Sequence, residues 1–200
     1  MSGGSGADLA PLEIEGAVAV VTGGANGIGR GIVRGLLERG ATVVIADIEE
    51  PVLEATVAEL GAEFGVGVVS GMQTDVSDEY SVEALADHVF ATFGRCNVLF
   101  NNAAYLRDFK IVTEMAEDEW DRAIGTTLGG VYLTCKYAIP HLIEAGGGSA
   151  AIETLSGDTL TASLRDGAVI LTDENGGVAV SEPAVHQVGR SCSRRPVVDS

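Results

Sequence analysis

The chain has 200 residues and a formal net charge of −17, with 46% hydrophobic and 20% charged residues. That balance fits a globular protein with one sizeable core, and the acidity argues against a nucleic-acid partner, whose phosphates need Lys and Arg to displace their counterions. No apolar run reaches the ~18 residues that a membrane span requires, so neither a membrane nor a transmembrane segment enters the reading.

The first stretch, "MSGGSGADLAP", has neither a basic n-region nor an apolar h-region, so residues 1–13 read as a flexible leader and not a signal peptide. "AVAVVT" (17–22) is a short apolar run rich in β-branched residues, the pattern of a buried strand. The spacing of Ile28, Ile32, Val33, Leu36 and Leu37 predicts a helix, with Gly40 as its C-cap. "TVVIAD" (42–47) is a second strand, and "EPVLEATVAELGAEFG" a second helix with Pro51 in its first turn. "VGVVSG" (66–71) reads as a third strand, followed by a helix N-capped by Ser77. "NVLFNNAA" (97–104) is a fourth strand running into a polar turn. One long helix is predicted over 116–143, and "GGGSAAIET" supplies a turn and a weaker fifth strand.

Strands alternating with helices of this length predict βαβ units, hence a doubly wound α/β fold of Rossmann type with a parallel sheet. The rhythm changes after residue 150. Short β-like runs there are broken by Asp166-Gly167 and Asn175-Gly176, strong hairpin signals. The organisation is therefore a Rossmann domain over 14–150, a β-hairpin-rich tail over 151–189, and a disordered end over 190–200, with the boundary near 146–148. A parallel sheet that stops at its fifth strand leaves an edge and one face of the long helix open.

Cys96, Cys135 and Cys192 form no CxxC pair, and no His stands at ligand spacing to them. The reading is free thiols in a reducing cytoplasm, and no metal.

The chemistry-bearing stretch is "VVTGGANGIGRG" (20–31), a glycine-rich loop between a predicted strand and a predicted helix. A flexible surface loop is the plain alternative, but the strand-to-helix context is what dinucleotide binding demands. Gly23 permits the tight turn, Gly27 lets the backbone approach a pyrophosphate, and Gly29 allows close packing of helix on strand. The helix N-terminus then offers free N–H groups to the phosphates. Asp47 follows Gly29 by 18 positions, near the ~20 expected for a carboxylate on the adenosine ribose. Its charge would repel a 2′-phosphate, which favours NAD over NADP; Arg30 is the one nearby basic residue that could soften that preference.

"TGGANGIG" resembles the cofactor loop of the short-chain dehydrogenase/reductase family, spaced TGxxxGxG. Further stretches resemble the family in the expected order: "AD" at 46–47, "TDVSD" at 74–78, "NNAA" at 101–104 where the family has NNAG, and the helix "EWDRAIGTTLGGVYLTCKYAIPHL". The resemblance covers residues 14–150. It implies cofactor contacts from Gly23, Asn26, Gly27, Ile28, Gly29, Asp47 and Ile48. It also implies that Asp75 contacts the adenine amino group and Val76 packs on the ring. Asn102 would support the central strand, with the backbone at Ala103 and Ala104 approaching the cofactor. The long helix would form a homo-oligomer face, as in many members.

The family transfers a hydride between a nicotinamide and a small-molecule alcohol or carbonyl, using a Tyr, a Lys four residues later, a Ser and an Asn. Here the Asn position is Thr127. The Ser position is Leu155, with Ser156 one residue displaced, and no Tyr or Lys follows Tyr137. These departures keep a second reading open, a non-catalytic dinucleotide-binding fragment or fusion product with a β-rich interaction tail. The tail "TLSGDTLTASLRDGAVILTDENGGVAV" resembles the C-terminal hairpins of a fasciclin-like adhesion domain. A change of reading frame or gene junction near residue 150 would account for it equally.

Overall fold

A computed structural model describes residues 13–105, 110–144, 149–153, 159–165, 168–172 and 178–180. The leader, the 146–148 boundary, Ser156 and everything from 181 onward lie outside the described residues.

Five parallel strands carry the fold: β1 (Val18–Thr22), β2 (Thr42–Asp47), β3 (Val69–Gln73), β4 (Val98–Asn101) and β5 (Ser149–Glu153). They are linked by α1 (Gly27–Leu37), α2 (Glu50–Phe64), α3 (Glu79–Phe93), and the pair α4 (Glu117–Ile124) and α5 (Gly130–Glu144). Three further strands, β6 (Thr159–Arg165), β7 (Ala168–Thr172) and β8 (Val178–Val180), continue the same sheet antiparallel. The strand order is β3-β2-β1-β4-β5-β6-β7-β8. The chain thus reverses order between β1 and β4, which makes a topological switch point there.

Period-two alternation explains the unbroken apolar strands. Ala19 and Val21 of β1, with Val43 and Ile45 of β2, bury into one core with Val33, Leu36, Leu53 and Leu60 of α1 and α2. Val18, Val20 and Val44 face the other way, into a core with Leu85 and Val89 of α3 and Leu142 of α5. A strand covered on both faces has no polar side to show. On that second face Glu79 ties α3 to α5, accepting from the Lys136 ammonium and from the Tyr137 hydroxyl at 2.8 Å.

Four local expectations need correction. The third strand lies at Val69–Gln73, later than 66–71, because Gly65 and Gly67 take positive φ and leave Val66 fully exposed in a turn. Ser77 does not cap α3. It bonds instead to the Asp75 carboxylate, and Asp78 caps the helix by accepting from the Ser81 N–H at 3.2 Å. Helix α1 ends at Leu37, so Gly40 (φ +81°) stands in the turn beyond Glu38 and not at the cap. The long helix is not continuous: "GTTLG" (Gly125–Gly129) forms a π turn between α4 and α5, a defect seen mostly at functional sites.

The open edge expected beyond β5 is taken by β6, in register from Glu153 opposite Thr159 to Ser149 opposite Ser163. Arg165 pairs with Ala168 across β6 and β7, and Asp166-Gly167 between them lies outside the described residues.

Candidate functional site

The carboxyl ends of β1, β2, β3 and β4 converge beside the head of α1. Thr22, the last residue of β1 and 1% exposed, is the joint between two of them. Its hydroxyl donates to the Phe100 carbonyl at 3.3 Å and accepts from the Asn102 and Ala103 N–H groups at 3.0 and 3.1 Å. The Asn102 amide reaches back, donating to the Thr22 and Gly23 carbonyls at 3.0 Å each. Asn102 and Ala103 are thereby held against the glycine loop, with Ala104 next in the chain.

Further bonds fix that loop. The Gly23 N–H donates to the Ala46 carbonyl at 2.7 Å. The Asp47 carboxylate accepts from the Ala25 N–H at 3.0 Å and, through its other oxygen, from the Glu49 N–H at 3.1 Å. The buried Thr56 hydroxyl of α2 donates to the Ala25 carbonyl at 2.8 Å. Asn26 caps α1, its side chain accepting from the Gly27 N–H at 2.7 Å.

The glycines divide the work by space. Gly23 has φ +62°, and a Cβ there would stand 3.0 Å from the Ala103 Cα. At Gly29 a Cβ would fall 2.1 Å from the Gly23 carbonyl oxygen and 2.5 Å from the Asn102 amide nitrogen, so no other residue fits. Gly27 (φ +52°) is the opposite case, with no atom within 4 Å of that position. Ile28 beside it is 73% exposed, and the first turn of α1 carries no acidic side chain. This is an open helix N-terminus with no carboxylate in its first turn, a setting that suits an anion such as a diphosphate.

Ile48 is exposed next to Asp47. Asp75 is half-buried at the end of β3, one carboxylate oxygen accepting from the Ser77 N–H and hydroxyl at 2.9 and 2.6 Å. Val76 is only 6% exposed and packs so tightly on Gly130 that a Cβ on that glycine would meet it at 2.7 Å. Arg30 is occupied by an ion pair with Glu59 of α2.

Thr127 lies half-buried in the π turn, its hydroxyl 3.4 Å from the Tyr105 N–H. That places it next to the segment running on from Ala104. Lys136 and Tyr137 are bound to Glu79 on the α3–α5 face. Hydrogen bonding to that carboxylate pushes the phenol pKa above its usual value, the reverse of what a general acid/base near neutrality needs. Two residues that build the site, Thr22 and Thr56, were not singled out by sequence reasoning. Thr22 stands inside "VVTGG", where the motif could have marked it, whereas Thr56 has no local signal.

The short chain dehydrogenase family model matches residues 17–163. Among curated proteins, the chain is 34% identical to D-threitol dehydrogenase of Mycolicibacterium smegmatis over 171 residues, covering 86% of this chain and 64% of that one. It is 36% identical to 3beta-hydroxysteroid dehydrogenase 2 of Eggerthella lenta over 143 residues, covering 72% and 54%. Among solved structures, a short chain dehydrogenase/reductase from Burkholderia phymatum in complex with NAD superposes with a TM-score of 0.65 at 32% identity, over 71% of this chain and 49% of that one. The chain thus spans about half to two-thirds of the length of such relatives. With the matched segment running from β1 into β6 and the glycine loop at its head, this chain belongs to the short-chain dehydrogenase family.

Proposed function

We propose that this chain binds a nicotinamide dinucleotide over the carboxyl ends of β1 to β4, with NAD preferred to NADP. The reaction class is that of its family, hydride transfer between the nicotinamide and a small-molecule alcohol or carbonyl. The observation that carries the reading is the hydrogen-bonded platform of Asp47 and Ala25 beside the open, acid-free head of α1. Gly27 and the α1 N-terminus take the pyrophosphate; Gly23 and Gly29 let the loop close on Asn102. Asp47 takes the adenosine ribose, Ile48 and Val76 bound the adenine, and Asp75 reads its amino group. Ala103 and Ala104 line the path toward the nicotinamide. Arg30 is paired with Glu59, and taking up a 2′-phosphate would mean exchanging that exposed ion pair. The bound cofactor supplies the hydride acceptor or donor.

Of the family's reacting groups the described residues offer only Thr127, which would hold a water less firmly than an Asn. Ser156 would serve through a one-residue shift. The Tyr and Lys have no counterpart after residue 137, so the expected behaviour of these 200 residues is cofactor binding without turnover. Isothermal titration with NADH should saturate below millimolar cofactor. No saturation would refute binding, and oxidation of any secondary alcohol would refute the lack of turnover.

Asp47→Asn keeps an acceptor for the Ala25 N–H but turns its amide NH2 toward the Glu49 N–H, so it loses one of the two bonds that the carboxylate accepts. It removes the charge, and hydrogen bonds to charged groups contribute about 1.5–3 kcal/mol. NAD affinity should fall at least tenfold while NADP affinity falls less, read as paired Kd values. An equal loss for both cofactors would deny Asp47 its selecting role.

Two copies would join through the long helical stretch. Trp120, Ile124, Leu128 and Tyr132 recur every four residues and stay exposed, at 52%, 41%, 66% and 64%. A four-residue repeat drifts around a 3.6-residue helix, and the wider π turn takes up part of that drift. The stripe suits a self-complementary twofold contact. Sedimentation equilibrium should find a dimer that Leu128→Glu converts to monomer with unchanged circular dichroism. A monomeric parent chain at high micromolar concentration would end this reading. The free, buried thiol of Cys96 fits a reducing cytoplasm as the compartment.

A further inference from the structure

We infer that nucleotide recognition by this chain is confined to the adenosine-diphosphate portion, so that ADP-ribose binds as well as NAD or NADH. The inference rests on the cofactor reading above and concerns how the two ends of the site differ.

A dinucleotide fold has two βαβαβ halves meeting at the switch point, each serving one mononucleotide. The first half is complete here: β1-α1-β2-α2-β3, all parallel. Its strand ends carry the loop from Gly23 to Gly29, Asp47 held by Ala25 and Glu49, and Asp75 held by Ser77. The second half begins alike, with β4 leading through α4 and α5 to a parallel β5. It then departs. The link from β5 to β6 is residues 154–158, shorter than the dozen or more that a parallel crossover needs, and β6 runs antiparallel.

That reversal decides what stands over the nicotinamide end. Strand β6 leaves the cofactor edge where a third parallel strand would arrive at it. Its pairing puts Thr159 level with Glu153, and Ser163 level with Ser149 at the far edge. Arg165 lies beyond Ser163, paired with Ala168 at the start of β7. It is the first Lys or Arg after Lys136 in the sequence, so the register places it at the edge opposite the cofactor. Among the described residues, the sheet passes from β5 to β6 with no helix between them. Among the described residues, those that stand toward the nicotinamide nucleoside are thus the Ala103–Ala104 backbone and the neighbourhood of Thr127.

Isothermal titration of the full chain with NAD, NADH, ADP-ribose and AMP tests this. The expected result is Kd values for NAD, NADH and ADP-ribose within about threefold of one another, with AMP at least tenfold weaker for want of the second phosphate. NAD or NADH binding more than tenfold tighter than ADP-ribose would overturn the inference and leave the cofactor reading intact. Heat from none of the four would overturn the cofactor reading itself.

Discussion

Gly29→Ala should destabilise the chain by about 3 kcal/mol and abolish nucleotide binding, whereas Gly31→Ala, two positions along the same helix, should stabilise it by ~0.5–1 kcal/mol. The contrast isolates space from helix propensity. Alanine is the better helix former at either site. At Gly29 the added methyl would stand 2.1 Å from the Gly23 carbonyl oxygen, so the whole loop must give way; at Gly31 it meets nothing within 4 Å. Urea denaturation of the two variants measures both signs. Equal effects would mean that α1 does not press on the loop as described.

Thr22→Val should cost about 3 kcal/mol although it changes almost no volume. The hydroxyl serves the Asn102 and Ala103 N–H groups and the Phe100 carbonyl in a site that is 1% exposed. Removing it leaves buried polar groups without a partner, at roughly 1–3 kcal/mol each. Thr22→Ser keeps the hydroxyl and should lose only ~1 kcal/mol for the missing methyl. Urea midpoints measure the difference. A serine variant as weak as the valine would show that Thr22 matters through its packing and not through the joint it makes between β1 and β4.

How much of this was legible beforehand follows from how local each feature is. β1 and β2 were plain because both faces are buried, leaving continuous apolar runs. β3 is hard to place from sequence because Val69 is the one buried residue of "VSGMQ", which leaves no apolar alternation to read. Its limits are set by pairing with β2, from Val69 opposite Val43 to Gln73 opposite Asp47, which no window around residue 70 contains. The π turn was invisible because Ile124, Leu128 and Tyr132 keep a spacing that one continuous helix would also show. The Asp166-Gly167 hairpin was legible from its turn chemistry. Its attachment to β5 was not, since the partner strand is chosen by the sheet.

The site divides along the same line. The glycine spacing and Asp47 could be read, because tight turns and strand ends have sequence signatures. That Asp47 also holds Ala25, and that Thr56 reaches the same loop residue from α2, depends on strand ends brought together by the fold. The missing Tyr and Lys were legible as plain absences from the sequence. Their structural correlate, the strand reversal after β5, became visible only with the pairing.

The most direct test is a nitrogen-15 amide NMR titration of the chain with NAD. The largest shifts are expected at residues 23–29, at Asp47 and Ile48, at Asp75 and Val76, and at Asn102 to Ala104, with little change in β6 to β8. Shifts confined to other surfaces, or none at saturating NAD, would contradict a cofactor site built by the glycine loop and the carboxyl ends of β1 to β4.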